Sequence, residues 1–371
     1  MNKLAALASG IILASTSVAQ DVGLTFTNGV DTYLETPYVP QLVPQAGLTV
    51  EAWVTYDDQI ATGLNRFPTI VRQNFGGGSE SYFLRVNAGT TAATILRFRV
   101  STTAGNFLVD WNFTPGQLNT WTHVAATYDG SQAVLYVNGT RVSSLTGNGL
   151  PVRDLGGPLR VGKGADSSGP YEVWNGEIDE LRIWPFARTE AEIRATMMQK
   201  LISVPGLVET WNFDNSFVDS SSGIALAANG SVAVGPNSLT FSAPALPSVS
   251  GQSTAGCLGD VLLSPSTAAQ VRNAEFAAVC TQTPPSAAAL WLLTGSTLPS
   301  PLPFLGVNVW VNPAGSIAIP AAAASLGALR LGLPIPAGPV GGSVALQAFV
   351  LDPCGSQGLT ASNAMTLAIV P

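Results

Sequence analysis

Two tight-turn dipeptides, nine residues apart, constrain this chain more than any other feature. Trp121 to Val142 reads as two runs of β-forming residues joined at Asp129-Gly130 and followed by Asn138-Gly139. Asp-Gly and Asn-Gly supply residues that tolerate positive φ, which a tight hairpin turn requires, so three strands are laid antiparallel within about 25 residues. The middle strand, around Ala133 to Val137, has few polar residues. It is therefore expected to be buried on both faces, as in a two-sheet sandwich.

The flanking chain continues the same pattern. Leu24 to Glu35 reads as strand, turn and strand, and Pro37, Pro40 and Pro44 mark the loop after it. Leu48 to Thr55 alternates, with Trp53 expected to face the core. Thr69 to Gln73, Ser81 to Val86 and Ile95 to Val100 are further strands, separated by Gly76-Gly-Gly78 and Gly89-Thr-Thr91; Phe107 to Phe113, Leu159 to Gly162, Gly176 to Trp184 and Val208 to Phe213 follow. No parallel βαβ unit is visible. Thr189-Glu-Ala-Glu192 is a capping box, after which Ile193, Met197 and Leu201 form one apolar stripe, so a single short helix is expected there.

Together with Leu48-Thr-Val-Glu-Ala-Trp-Val54 and Gly176-Glu-Ile-Asp-Glu-Leu-Arg-Ile-Trp184, the hairpin resembles the laminin-G-like jelly roll of the concanavalin A-like lectin/glucanase superfamily. The resemblance covers roughly residues 21 to 235. It implies an all-β fold, an antiparallel jelly-roll β-sandwich over 20–235, and leaves function open among lectins, adhesion modules and glycosidases. From about Pro236 the composition shifts to Ala, Pro, Gly, Leu and Ser, with Asp260, Arg272, Glu275, Arg330 and Asp352 as the charged residues. We read 236–250 as a linker and 251–371 as a second, smaller β-rich domain. Leu333-Pro-Ile-Pro336 and Gln347-Ala-Phe-Val-Leu-Asp352 resemble a short domain at the C-terminal end of some secreted multidomain bacterial proteins, for which no activity follows.

Residues 1–19 have one Lys, an apolar stretch and Ser17-Val18-Ala19, the pattern of a signal peptide cleaved after Ala19. No later segment is apolar for long enough to span a bilayer, so a secreted, extracellular or envelope location is expected. Export makes Cys257, Cys280 and Cys354 disulfide candidates. Proximity favours Cys257 with Cys280; Cys257 with Cys354 is the alternative. The formal charge is −7 and Lys occurs only at 3, 163 and 200. This balance predicts no basic face for phosphates, so nucleic acid and anionic membranes are poor partners, whereas neutral glycans and cations are compatible.

Retaining glucanases of the same superfamily place Glu, Asp and a second Glu where this chain has Glu177, Asp179 and Arg182. Arginine cannot serve as the second carboxyl, so catalysis is not expected. The resemblance also implies a calcium site, with Asp31, Asp179, Glu177 and Asn28 as ligands, although Thr32 stands where many relatives carry another Asp. The alternative is that Asp31 makes an Asx turn and Asp179 caps a loop amide. His123 lacks a nucleophile motif nearby and reads as structural. Trp174 and Trp111, with Tyr171 and Asp166, are the candidates for stacking on and hydrogen bonding to a sugar; core packing is the alternative for each ring. The resulting expectation is a non-catalytic recognition module for a glycan or extracellular polymer. A glycoside hydrolase and a purely structural envelope or matrix protein are the competing readings.

Overall fold

The computed structural model describes the chain apart from residues 1–20, 28–30, 58–66, 75–79, 88–94, 165–171, 202–208, 215, 219–221, 244–246, 268–272, 275, 336–341 and 369–371. The expected hairpin is present as Thr122–Tyr128, Gln132–Val137 and Thr140–Thr146. At its second turn Asn138 and Gly139 have φ of 48° and 70°, the pair of positive values that a tight turn demands. The middle strand is buried on both faces. Ala133 and Leu135 enter the main core, while Val134 and Tyr136 pack with Ala125 and Ile193 on the other side.

Two antiparallel sheets enclose that main core. The first runs, in spatial order, Thr140–Thr146, Gln132–Val137, Thr122–Tyr128, Leu48–Val54, Gly176–Trp184, Val22–Phe26 and Ala233–Pro236, with Glu209–Trp211 also pairing to Gly176–Trp184. The second runs Ala227–Asn229, Tyr33–Thr36, Leu159–Val161, Thr69–Gln73, Tyr82–Asn87, Ile95–Thr102 and Gly105–Asn112. Leu24, Val50, Val124, Ile178 and Ile183 from the first sheet meet Leu34, Val71, Leu84, Phe98 and Val161 from the second. The helix occupies Glu190–Thr196, and both bonds of its capping box, between Thr189 and Glu192, are made.

A second core lies beyond residue 250. Ser248–Ser250, Ala364–Ala368, Ser343–Ser356, Ala288–Thr294 and Ile317–Ala322 form one sheet, and Leu262–Pro265, Ala277–Thr281 and Leu329–Gly332 form another. Trp291, Leu346, Val350 and Met365 from the former pack with Leu263, Ala278 and Leu329 from the latter. Thr297–Phe304 is a strand that its prolines at 299, 301 and 303 conceal in the sequence; it pairs with Val307–Val311 alone, a ribbon in which missing amide donors are tolerated.

The disulfide corrects the expected pairing. Cys257 bonds to Cys354, with their Cα atoms 4.9 Å apart, while Cys280 is a free thiol inside the second core. Proximity along the chain failed here because Cys280 sits mid-strand facing apolar neighbours. Asp352 clamps the bridge, its carboxylate accepting the amides of Cys257 and Cys354. The bridge closes a loop of about 97 residues, so replacing Cys354 by Ser is expected to cost about 2–5 kcal/mol in denaturant unfolding under oxidising conditions.

The two cores are joined. Leu326, from the second half, enters the main core and lies against Gly130 of the first hairpin turn. Val279 packs with Trp184, Phe186 and Leu201. Arg188 donates to the carbonyl of Ser266, and Arg330 pairs with Glu192. Leu326→Ala should destabilise the jelly roll by about 2–4 kcal/mol even though the change lies outside it, read by tryptophan fluorescence against denaturant.

Candidate functional site

Each sheet of the jelly roll has an outer face, and the two have opposite fates. On the first sheet a β-bulge between Asp179 and Arg182 adds one residue opposite Trp53 and Glu51, with Glu180 at φ 50°. Ile178, Leu181 and Ile183 therefore stay in the core, while Asp179, Glu180, Arg182 and Trp184 lie outside that core cluster, buried on the far side. Glu51 is fully buried among them. Its carboxylate accepts from Arg188 at 2.9 Å and Trp184 at 2.8 Å, and His123 Nε2 lies 3.7 Å away. Burial would raise the Glu51 pKa, but Arg188, His123 and Arg182 outweigh it and hold the group below its ordinary range.

The helix region covers the middle of this face, over Glu51, His123 and Arg182. Arg182 donates to Glu180 and to the carbonyls of Thr196 and Gln199, which explains why arginine stands where a glucanase would carry an acid. Trp53 points outward and not into the core as expected; its Nε1 donates to the Met197 carbonyl and its ring meets His123 edge-on at 5.4 Å. His123 is a buried structural side chain, and burial pushes its pKa down to about 4.

Of the residues proposed for calcium, Asp31 and Asp179 each have another partner. Asp31 is exposed and bonds to Lys163 at 2.5 Å. Asp179 is buried and accepts from Asn237 at 2.8 Å and from the Glu180 amide at 2.7 Å. Burial first, then Asp21 and Glu180 beside it, push the Asp179 pKa up to about 10. Asp21, which burial alone would raise, is held low by hydrogen bonds from Asp179, Lys200 and Asn237. Glu177 meets only Thr55, at 3.4 Å, and Asn28 lies outside the described residues.

The proposed sugar-stacking residues also need correction. Trp174 is fully buried; its Nε1 donates to the Thr55 carbonyl and its ring packs on Tyr56, so no ligand can reach its face. Trp111 is half-buried against the core, stacked 5.8 Å from Phe113. Tyr171 and Asp166 lie outside the described residues.

The outer face of the second sheet holds what the charge balance concealed. Strand register places Glu35, Arg160, Arg72, Phe83, Arg99 and Leu108 in one row across six strands, and Arg85, Arg97 and Asp110 in a second row. Five arginines thus share one face, most of them paired with acids. Arg97 forks onto Asp110 at 2.7 and 2.6 Å, Arg160 pairs with Glu35 at 2.6 Å, and Glu80 lies between Arg72 and Arg99. Tyr33 lies against Arg160 and Lys163. The signal was in the strands themselves: Leu96-Arg-Phe-Arg-Val100, Leu84-Arg-Val86 and Leu159-Arg-Val161 alternate apolar with basic, which puts every arginine on the wet side of a half-buried sheet.

Residues 28–194 match the family model described as the concanavalin A-like lectin/glucanases superfamily. This part of the chain is similar to that superfamily. The chain also shares 32% identity over 110 residues with pappalysin-1 of Mus musculus, a match covering 28% of this chain and 6% of that protein. Among solved structures it resembles a candidate carbohydrate binding protein from Bacteroides ovatus, at 20% identity and a TM-score of 0.46, over 60% of this chain and 62% of that one. It also resembles the heptameric SAP-like pentraxin of Limulus polyphemus, at 19% identity and a TM-score of 0.42, over 59% and 96%.

The buried acid in this jelly roll makes stability depend on pH. Asp179 keeps a proton in the fold that the unfolded chain releases above its ordinary value of 3.8, so stability falls as pH rises from there toward about 10. The slope approaches about 1.4 kcal/mol per pH unit. An amide mimics the protonated acid, so Asp179→Asn should flatten this decline and unfold at higher denaturant than the natural chain at pH 9.

Proposed function

We propose that the protein is an extracellular, non-catalytic recognition module that holds a carbohydrate on the outer face of its second sheet. One observation carries this reading. The middle of the first sheet's outer face is covered by the helix region and the second half of the chain, while the second sheet's outer face keeps Tyr33, Arg85, Arg97, Arg99, Leu108 and Asp110 at least partly open. Planar and forked groups side by side are what a ring of hydroxyls needs: aromatic and guanidinium faces for stacking, fixed donors and acceptors for orientation. Similarity of residues 28–194 to the concanavalin A-like lectin/glucanases superfamily supports the ligand class.

The non-catalytic half rests on the acids. Glu177 has no carboxyl partner along its strand that is both open to solvent and ionised: Asp179 is buried and protonated at neutral pH, and Arg182 is bound to the helix region. The extracellular half rests on the Cys257–Cys354 bridge and on the apolar segment before residue 20. No helix among the described residues is long and apolar enough to cross a membrane.

Binding to a panel of polysaccharides by affinity gel electrophoresis tests the reading. A double variant, Tyr33→Ala with Leu108→Ser, should fold normally and bind at least tenfold more weakly, with EDTA making no difference. Failure to bind any polysaccharide, or full affinity in the double variant, refutes it.

A further inference from the structure

Charge on the second sheet's outer face does not close. Arg72 pairs with Glu80 and Glu172, Arg99 with Glu80, Arg97 with Asp110, Arg160 with Glu35, and Lys163 with Asp31. Arg85, in the middle of this array, makes no ion pair or hydrogen bond with any described residue. Its Nε is shielded from solvent and has no acceptor there. What it does meet is aromatic: its guanidinium carbon lies 4.3 Å from the ring centre of Phe67 and 4.1 Å from that of Phe83.

Stability alone does not account for this arrangement. Arg85 stands directly across the strand pair from Arg97, and like charges in that position repel. Burial, together with Arg72 and Arg97, pushes its pKa down to about 10 against the pull of Glu172 and Glu80, so the group remains cationic at neutral pH but pays in desolvation. Covering phenyl rings is within reach of any long aliphatic side chain. The rings instead hold a planar donor fork in one orientation, which is what a bidentate oxyanion contact requires.

We infer that Arg85 is the anion-recognising residue of this face, and that the saccharide bound there carries an acidic group, either the carboxylate of a uronic acid or a sulfate ester. This deepens the carbohydrate reading and depends on it. Because Glu35, Glu80, Glu172 and Asp110 neutralise the surrounding cations, the face is read by one fork and not by a broad positive field. Binding therefore loses affinity with salt only as steeply as a single ion pair does, unlike a polyanion wrapped on a basic surface.

Matched polymers measured on the full chain distinguish the outcomes: polygalacturonate against its methyl ester, and chondroitin sulfate against its desulfated form. The natural chain should bind at least one acidic polymer tenfold or more tightly than its neutralised partner, and which pair discriminates tells carboxylate from sulfate. Arg85→Gln should abolish the difference, Arg85→Lys should retain part of it, and neither should lower the midpoint of thermal unfolding. Equal binding of acidic and neutral partners by the natural chain overturns this inference while leaving the carbohydrate reading intact, and that comparison needs no variant to fold. Discrimination that survives Arg85→Gln overturns it too, and absence of binding to every polysaccharide overturns both readings.

Discussion

Glu51 is a buried carboxylate whose Oε1 accepts from Trp184 and Arg188 while its Oε2 has His123 3.7 Å away, and these partners tie distant parts of the chain together. Arg188, Trp184 and the more distant His123 and Arg182 surround it, and the same Arg188 reaches the Glu192 carbonyl, the Thr196 hydroxyl and the Ser266 carbonyl. A buried charge is tolerated only when its partners are fixed in place, and loss of one partner typically costs about 3–5 kcal/mol. The strand carrying Glu51, the helix region and the second half of the chain are thereby tied at one point. Covering of the middle of the first sheet's outer face is a consequence of that electrostatic demand.

Once the middle of one face is covered, the other inherits the task of meeting partners. Apart from Arg85, its arginines are paired with acids, so the array is ordered before any ligand arrives, which reduces the entropy lost on binding. The face is nearly neutral in sum, which suits recognition of a defined group more than bulk attraction of a polyanion. The second half of the chain contributes differently. It is almost free of charge, it is bridged by Cys257 and Cys354, and it buries Leu326 in the jelly roll, so the two halves pack as neighbours.

Much of the fold was legible along the chain. The Asp129-Gly130 and Asn138-Gly139 turns, the alternation from Leu48 to Val54 and the Thr189 to Glu192 capping box each rest on interactions within a few residues, and each is present as read. The site was less legible. Trp174 looked available because it neighbours a loop, yet its ring fills the core beside Tyr56. Asp31 and Asp179 were paired by likeness to relatives, whereas Lys163 and Asn237 take them. Arg182 looked like a lost catalytic acid and is instead a brace for the helix region.

By itself the sequence determined the strands, the turns, the helix and the two-sheet class, because backbone preference and alternation act between near neighbours. Tertiary structure alone decided three things: that Cys257 meets Cys354, that Leu326 closes over Gly130, and that arginines from four separate strands line up on one face with Arg85 unpaired among the described residues. Each depends on register or on docking between segments distant in the chain. A net charge or a spacing averages over such geometry, and only the folded arrangement shows which charges are neighbours.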